Sequence, residues 1–366
     1  MDKRALLVLA DGSVYEGRSF GAEVDACGEV VFSTSMAGYQ ETLTDPSHTG
    51  QIVVATYPLI GNYGTNDADT ESDGIKVQGL AVREVAGTPS HYQCNKTLNQ
   101  YLAESGIPGI AGLDTRAVTR KLRSHGAMMG VITSTKTVPQ ALELLGMAPQ
   151  YDQTDFVKEA SVRTALRWQD EGAQGKCHVV ALDCGGKRSL LRLLRDRGCG
   201  VTVVPCTATA QEIMALKPDG LFLSPGPGNP NLLDYAADNV RALTEHLPIM
   251  GVCLGNQLIA RVFGGRSLKL KFGHHGSNHP VRDLRTGRVY ITSQNHSYAP
   301  DPASLPSELE VSHVNLNDGT IEGLRHKTLP VFAVQYHGEA SPGPMDSTYI
   351  FDEFTEIMSS NKQGSP

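Results

Sequence analysis

From Cys177 onward the chain changes rhythm. "HVVALDCG" is a continuous apolar run, "KRSLLRLLRDRG" carries apolar residues at helical spacing and stops at glycine, and "VTVVP" is apolar again. The alternation continues through "TAQEIMALKP", "GLFLSPGPG", "DYAADNVRALTEHL" and "PIMGVC" to "LGNQLIARVFGG". Parallel neighbours need a crossover between them, and strands apolar on both sides need helices on both faces. The pattern therefore predicts an α/β domain built on an open, mostly parallel sheet flanked by helices. Ligands in such sheets meet the carboxyl ends of the strands. Two strands here end in unusual loops, "SPGPGNP" and "GVCLGNQ".

The preceding part reads differently. "ALLVLADGSVYEGRSF" is two strands about Asp11-Gly12, a strong hairpin signal. "GEVVFSTS", "QIVVAT", "IKVQGLAVREV" and "MMGVITST" read as further strands. "TLNQYLAESG", "LDTRAVTRKLRSHG" and "PQALELLG" read as helices, the second with Asp114 or Thr115 as its N-cap. Residues 1–150 are thus expected to form a β-rich α+β domain, 151–175 a connection, and 176–366 the α/β domain. Trp168, in the connection, is expected to pack against one of the domains.

Charge and cysteine usage exclude several classes. There are 32 basic and 39 acidic residues with no basic stripe, so nucleic acid is not an expected partner. No run approaches the roughly 18 apolar residues of a membrane span. The apolar run after Lys3 and Arg4 is too short for a signal peptide, which makes a cytoplasmic location the expectation. Seven cysteines without a C-x-x-C pair argue against a disulfide framework or zinc knuckle. His274, His275 and His279 in "KFGHHGSNHP" fit no common zinc spacing, so no metal is expected.

One cysteine has a local context that speaks for chemistry. Gly251-Val252-Cys253-Leu254-Gly255 lies between an apolar strand and a helix, the arrangement of a nucleophile elbow. The helix N-terminus favours a thiolate, and the Leu254 N–H is placed where an oxyanion would form. A thiol nucleophile needs a base and a group to orient it. "VFAVQYHGEASPGP" offers His337 and Glu339, two apart, which an extended backbone would put on one side. Gly226 and Gly228 in "LSPGPGNP" allow a close backbone approach to a ligand and could complete an oxyanion hole.

Together, Cys253 in "GVCLGNQ", His337 and Glu339 in "YHGEASPGP", and the "SPGPG" loop resemble the class I (triad) glutamine amidotransferases, which have a flavodoxin-like sheet. "GEVVFSTSMAGYQETLTDPS", "TYPLIGNYGTNDAD", "GLDTRAVTRKLR", "KFGHHGSNHPV" and "SQNHSYA" extend the resemblance over nearly the whole chain, to the small (glutaminase) chain family of carbamoyl-phosphate synthase. The resemblance implies that Cys253 attacks the glutamine amide, that His337 relays protons and that Glu339 orients it. It also implies glutamine-binding positions at Ser47, Gly226, Gly228, Leu254, Gln257, Asn295, Ser297 and Tyr298. The ammonia would pass to a large synthetase chain, in a heterodimer or higher assembly, for carbamoyl phosphate that feeds arginine and pyrimidine synthesis. ATP and Mg2+ belong to that large chain. This chain is expected to need no cofactor, and no G-x-x-x-x-G-K-[ST] loop occurs in it.

Some positions depart from the family's usual letters. Asn256 stands for histidine, Gly338 for proline, Pro225 and Asn229 for Asn and Asp, and Ser297-Tyr298 for Gly-Phe. Asn256 can hydrogen-bond but cannot relay a proton near neutral pH. Pro225 has no N–H, so Gly226 must supply any donor there. Two alternatives accompany the leading reading: a catalytically silent regulatory small chain, and the glutaminase of another glutamine-dependent synthase.

Overall fold

The computed structural model describes residues 3–168 and 177–364. Much of the expected connection, from 169 to 175, lies outside the described residues. The chain divides into two compact units. One comprises residues 1–154 with 271–277 and 341–343; the other comprises 155–270, 278–340 and 344–366.

The first unit contains strands β1 (Arg4–Leu9), β2 (Val14–Gly21), β3 (Ala26–Ser33), β4 (Gln51–Ala55), β5 (Leu59–Ile60), β6 (Gly79–Val82), β7 (Glu84–Val85), β8 (Pro108–Ala111) and β9 (Met128–Thr133). Seven of them close a barrel in the order β1-β2-β8-β6-β4-β3-β9, and β1 returns to β9 in antiparallel register. The run "IKVQGLAVREV" forms β6 and β7 separately, because β7 leaves the barrel to pair with β5. Alternate residues Leu7, Val30, Ile52, Ala81, Ile110 and Ile132 from six barrel strands share one core with Val118 and Leu122 of the helix Thr115–His125. Asp114 caps that helix, accepting from Ala117 N–H at 2.9 Å. Capping boxes at Thr97/Gln100 and Thr137/Gln140 start the helices Leu98–Glu104 and Val138–Met147.

The second unit holds one ten-stranded sheet. Its strands are β10 (Leu166–Arg167), β11 (Cys177–Asp183), β12 (Cys199–Pro205), β13 (Gly220–Leu223), β14 (Ile249–Val252), β15 (Ser267–Asp283), β16 (Val289–Pro300), β17 (Leu309–Asn315), β18 (Ile321–His326) and β19 (Val331–Val334). The order is β10-β12-β11-β13-β14-β19-β18-β17-β15-β16. The five strands from β12 to β19 are parallel, as the alternation requires. The other half is antiparallel, so the sheet as a whole is mixed. Successive residues of the parallel strands serve opposite faces. Val180, Leu182, Leu221, Leu223 and Ile249 pack with the helices Ala210–Ala215, Asp234–Arg241 and Leu254–Val262. Val179, Ala181, Phe222, Met250 and Val252 pack with Arg188–Asp196 and Tyr349–Gly364.

Part of the expected connection belongs to this second unit. Leu166 and Arg167 add a strand to the sheet edge beside β12. Trp168 donates its N–H to Val201 O at 3.0 Å and lies under the Arg195 guanidinium. No helix among the described residues is long and apolar enough to cross a membrane.

Candidate active site

At the end of β14 the backbone turns within one residue. Cys253 sits at φ 54°, ψ −104°, a conformation L-residues rarely adopt, and caps the helix Leu254–Val262. The flanking glycines are required by packing. A Cβ on Gly251 would lie 2.7 Å from the Gly255 backbone, and one on Gly255 would lie 2.4 Å from the Leu223 carbonyl oxygen. Strand and helix can approach this closely only without side chains there, which leaves the strain on the cysteine. Such strain costs about 1–3 kcal/mol and persists only where surrounding structure over-determines it. The thiol is buried and lies 3.5 Å from Asn295 O.

His337 and Glu339 meet, but not along an extended strand. β19 ends at Val334. His337 keeps a single bridge to Ser293, donating its N–H to Ser293 O at 2.8 Å, and Ala340 N–H folds back onto His337 O at 3.2 Å. This turn brings Glu339 Oε1 to 2.6 Å from His337 Nδ1. Both side chains are buried.

A third buried group completes the pair. Lys187, 2% exposed, places Nζ 2.7 Å from the same Glu339 Oε1 and donates to Ala340 O at 2.9 Å. Ala340 holds φ 60°, a second strained non-glycine position, and its carbonyl is the one that receives the lysine. Burial works to raise the Glu339 carboxyl, yet Lys187 and His337 hold it below the usual carboxylate range. Burial likewise opposes charge on the imidazole, but Glu339 outweighs it and His337 is pushed up to about 10, against the repulsion of Lys187. His337 is therefore an imidazolium near neutral pH. The Cys253 thiol contributes to that rise, although Nε2 closes no hydrogen bond of normal geometry. Loose geometry of this kind is common before substrate is in place.

The loop 224–228 packs against the nucleophile's neighbour. A Cβ on Gly226 would lie 2.2 Å from Cys184 O and 2.8 Å from Leu254 Cδ2. Gly226 is thus demanded by the protein's own backbone, whatever ligand approaches. Gly228 takes φ 87°. Ser224 Oγ accepts from Cys184 N–H and donates to Pro225 O, both at 2.8 Å, tying the loop to the end of β11.

The remaining expected positions divide. Asn295, Ser297 and Tyr298 lie on β16, where Asn295 O faces the thiol. Tyr298 is buried and Ser297 keeps an unpartnered buried hydroxyl. Gln257 donates from Nε2 to Tyr298 O at 2.8 Å, so its amide braces β16 against the elbow helix. Ser47 belongs to the first unit. It is buried, its N–H donates to Asp45 Oδ1, and its Oγ is unpartnered.

Asn256 is fully buried and donates from Nδ2 to Gln335 Oε1 at 3.1 Å. Gln335 is two residues before His337, so this neutral contact braces the segment that carries the imidazole. Gly338 sits where an added Cβ would meet the Ile350 Cδ1 tip at 2.5 Å.

Residues 180–357 match the family model described as glutamine amidotransferase class-I, and residues 7–132 match that of the carbamoyl-phosphate synthase small chain, CPSase domain. Proteins named carbamoyl phosphate synthase small chain align over almost their full length. The Syntrophotalea carbinolica protein is 48% identical, covering 98% of this chain and 99% of its own. That of Chlorobaculum tepidum is 50% identical over 97% of each. That of Staphylococcus epidermidis is 49% identical over 99% of this chain and 98% of its own. The chain belongs to the carbamoyl phosphate synthase small chain family.

Sequence reasoning missed Lys187 as a partner of this site. A signal existed: Lys187 and Arg188 open the helix Arg188–Asp196, the end where the macrodipole disfavours cations. A lysine placed there against the dipole needs a reason, and Glu339 supplies it. Gln335 was missed because a glutamine at a strand end has no distinguishing pattern.

Proposed function

We infer that this chain is the glutamine-hydrolysing subunit of a carbamoyl-phosphate synthase, working in the cytoplasm with a large synthetase chain that binds ATP and Mg2+. The reading rests on one observation above all: a strained, buried Cys253 at a strand–helix elbow beside the His337–Glu339 pair. A nucleophile, a proton carrier and its orienting carboxylate are the components that thioester chemistry needs.

The residues act in two stages. With the proton already on His337, Sγ bonds to the side-chain carbonyl carbon of glutamine. The carbonyl π pair moves to oxygen, toward the N–H groups of Leu254 and Gly226. His337 gives its proton to the amide nitrogen, the C–N bond breaks, and ammonia leaves a γ-glutamyl thioester. In the second stage, water gives a proton to the neutral imidazole and adds to the thioester carbon. The C–S bond then breaks and releases glutamate. Glu339 holds Nδ1 throughout and stabilises the imidazolium, while Lys187 keeps Glu339 ionised. Asn295, Ser297 and Tyr298 belong to β16, whose Asn295 carbonyl faces the thiol, and Gln257 holds that strand. Ser47 and Gly228 are assigned to glutamine by family resemblance alone.

The test measures glutamate release and carbamoyl-phosphate formation with the large chain present. Wild type should support synthesis from glutamine. Cys253→Ser should lose it by at least about a thousandfold, as removal of a nucleophile does, while synthesis from free ammonia persists. Glutamine-dependent synthesis that survives Cys253→Ser would defeat this reading. Wild type that supports synthesis only from ammonia would mark a silent subunit.

A further inference from the structure

The antiparallel end of the sheet has one face that breaks the usual rule. The β15–β16 hairpin closes with Asp283 N–H donating to Arg288 O and Gly287 N–H to Asp283 O. Thr292 Oγ1 reaches His279 O at 2.9 Å, so the same register persists along the pair. It sets Val289 opposite Arg282 and Ile291 opposite Pro280. On the other side, Arg282 pairs with Val314, Leu316 N–H donates to Pro280 O, and Leu284 N–H donates to Ser312 O. By strand alternation, Leu284, Val289, Ile291 and Leu316 share one face.

The opposite face is covered. Val281, Asp283, His313 and Asn315 are buried there, Tyr290 packs on Tyr349 with ring centroids 5.2 Å apart, and Arg285 reaches Glu353 on the C-terminal helix. A sheet covered on one side should carry polar residues on the other. Instead the open face exposes Leu284, Val289, Ile291 and Leu316 by 49%, 48%, 43% and 41%. Scattered apolar residues need no explanation, but four that share one face across β15, β16, β17 and their ends mark an interaction site. Arg282, opposite Val289 and Val314, lies on the same face, exposed and in no ion pair among the described residues. The chain as a whole carries a net charge of −7, so this positive charge is local.

We propose that this face of β15, β16 and β17 docks the large synthetase chain through an apolar patch rimmed by carboxylates on that partner. The inference rests on the function proposed above. An exposed arginine beside an apolar centre calls for apolar contact with an acidic border, the composition of an interface core and rim. β16 also connects the face to the chemistry: it runs from Val289 and Ile291 directly to Asn295, whose carbonyl faces the thiol.

The experiment uses the full chain with its large chain. Ile291→Glu combined with Val289→Glu places charges on the patch, and Arg282→Glu reverses the charge beside it. None of these residues belongs to the catalytic machinery. Each variant should keep the wild-type circular dichroism spectrum and the glutaminase rate of the isolated chain. Each should bind the large chain at least about tenfold more weakly and lose glutamine-dependent synthesis at low concentration, with ammonia-dependent synthesis unchanged. Wild-type binding by both folded variants would overturn the proposal. So would a chain that is dimeric alone in sedimentation and becomes monomeric in the variants with large-chain binding intact, because the face would then serve self-association. If wild type itself never binds the large chain, the functional reading fails along with this one.

Discussion

The barrel and the α/β unit solve the same problem of buried backbone with different tolerance for strain. In the barrel strands and their loops, the described residues at positive φ are glycines, such as Gly12, Gly21 and Gly112. Glycine there also makes room: a Cβ on Gly109 would sit 2.4 Å from the Phe20 ring. In the α/β unit, exposed Lys217 takes positive φ just past a helix end, and within the candidate site Cys253 and Ala340 do so with side chains attached. One carries the thiol, and the other presents its carbonyl to Lys187. The barrel has no edge and relaxed turns, as a scaffold should. Two of the second unit's strained positions lie within reach of one histidine, which is where pre-organised chemistry places strain.

The largest expected effect tests the buried cation. Lys187→Met leaves the buried Glu339 short of one partner and should destabilise the fold by about 3–5 kcal/mol, read by denaturant unfolding. It should also lower kcat by roughly a hundredfold, the scale of a lost positioning contact. Imidazole titration by NMR sharpens the assignment, because two variants move it in opposite directions. Without Lys187 the His337 value climbs further; in Glu339→Gln, burial and Lys187 face only the smaller contribution of Cys253, and it falls below its ordinary 6.5. The sign for stability follows. A histidine raised to about 10 stabilises the fold fully below its ordinary value, and that contribution is lost as pH rises through about 10. Wild type should weaken across that window and Glu339→Gln should not. Equal slopes in the two would show that the pair is not coupled.

A barrel mutation is the control for the comparison. Leu7→Ala removes a fully buried side chain and should cost about 2–5 kcal/mol, while kcat per folded molecule stays unchanged. A kcat that drops with it would break the separation between scaffold and strained site. Gly255→Ala is smaller in stability, about 1–3 kcal/mol of overpacking, but should cut glutamate release sharply because the Leu223 carbonyl cannot yield. Gly338→Pro is expected to do least. The Ile350 tip can move, so the unfolding free energy should stay within about 1 kcal/mol of wild type.

Much of this was legible in the letters. Apolar runs alternating with helical spacing indicated parallel strands, since periodicity and crossover length are local properties. The elbow was readable at Cys253 because only glycine fits on either side of so sharp a turn. His337 and Glu339 were readable as a pair, but through the wrong geometry: a turn closed by Ala340 N–H joins them, and no periodicity encodes such a turn. The antiparallel half of the sheet escaped notice because its long, partly polar strands lack the signature of buried parallel ones.

What the sequence by itself determined was the order of elements, the position of the nucleophile, and the family, all carried by short-range pattern or long motif. What only the tertiary structure decided was which distant groups share one buried volume. Lys187 meets Glu339 across 152 positions of sequence, and Asn256 meets Gln335 across 79. The open face of β15–β17 appears only once three strands are placed in register. Such meetings depend on burial, where charges and amides must find partners, and burial is a property of the folded whole.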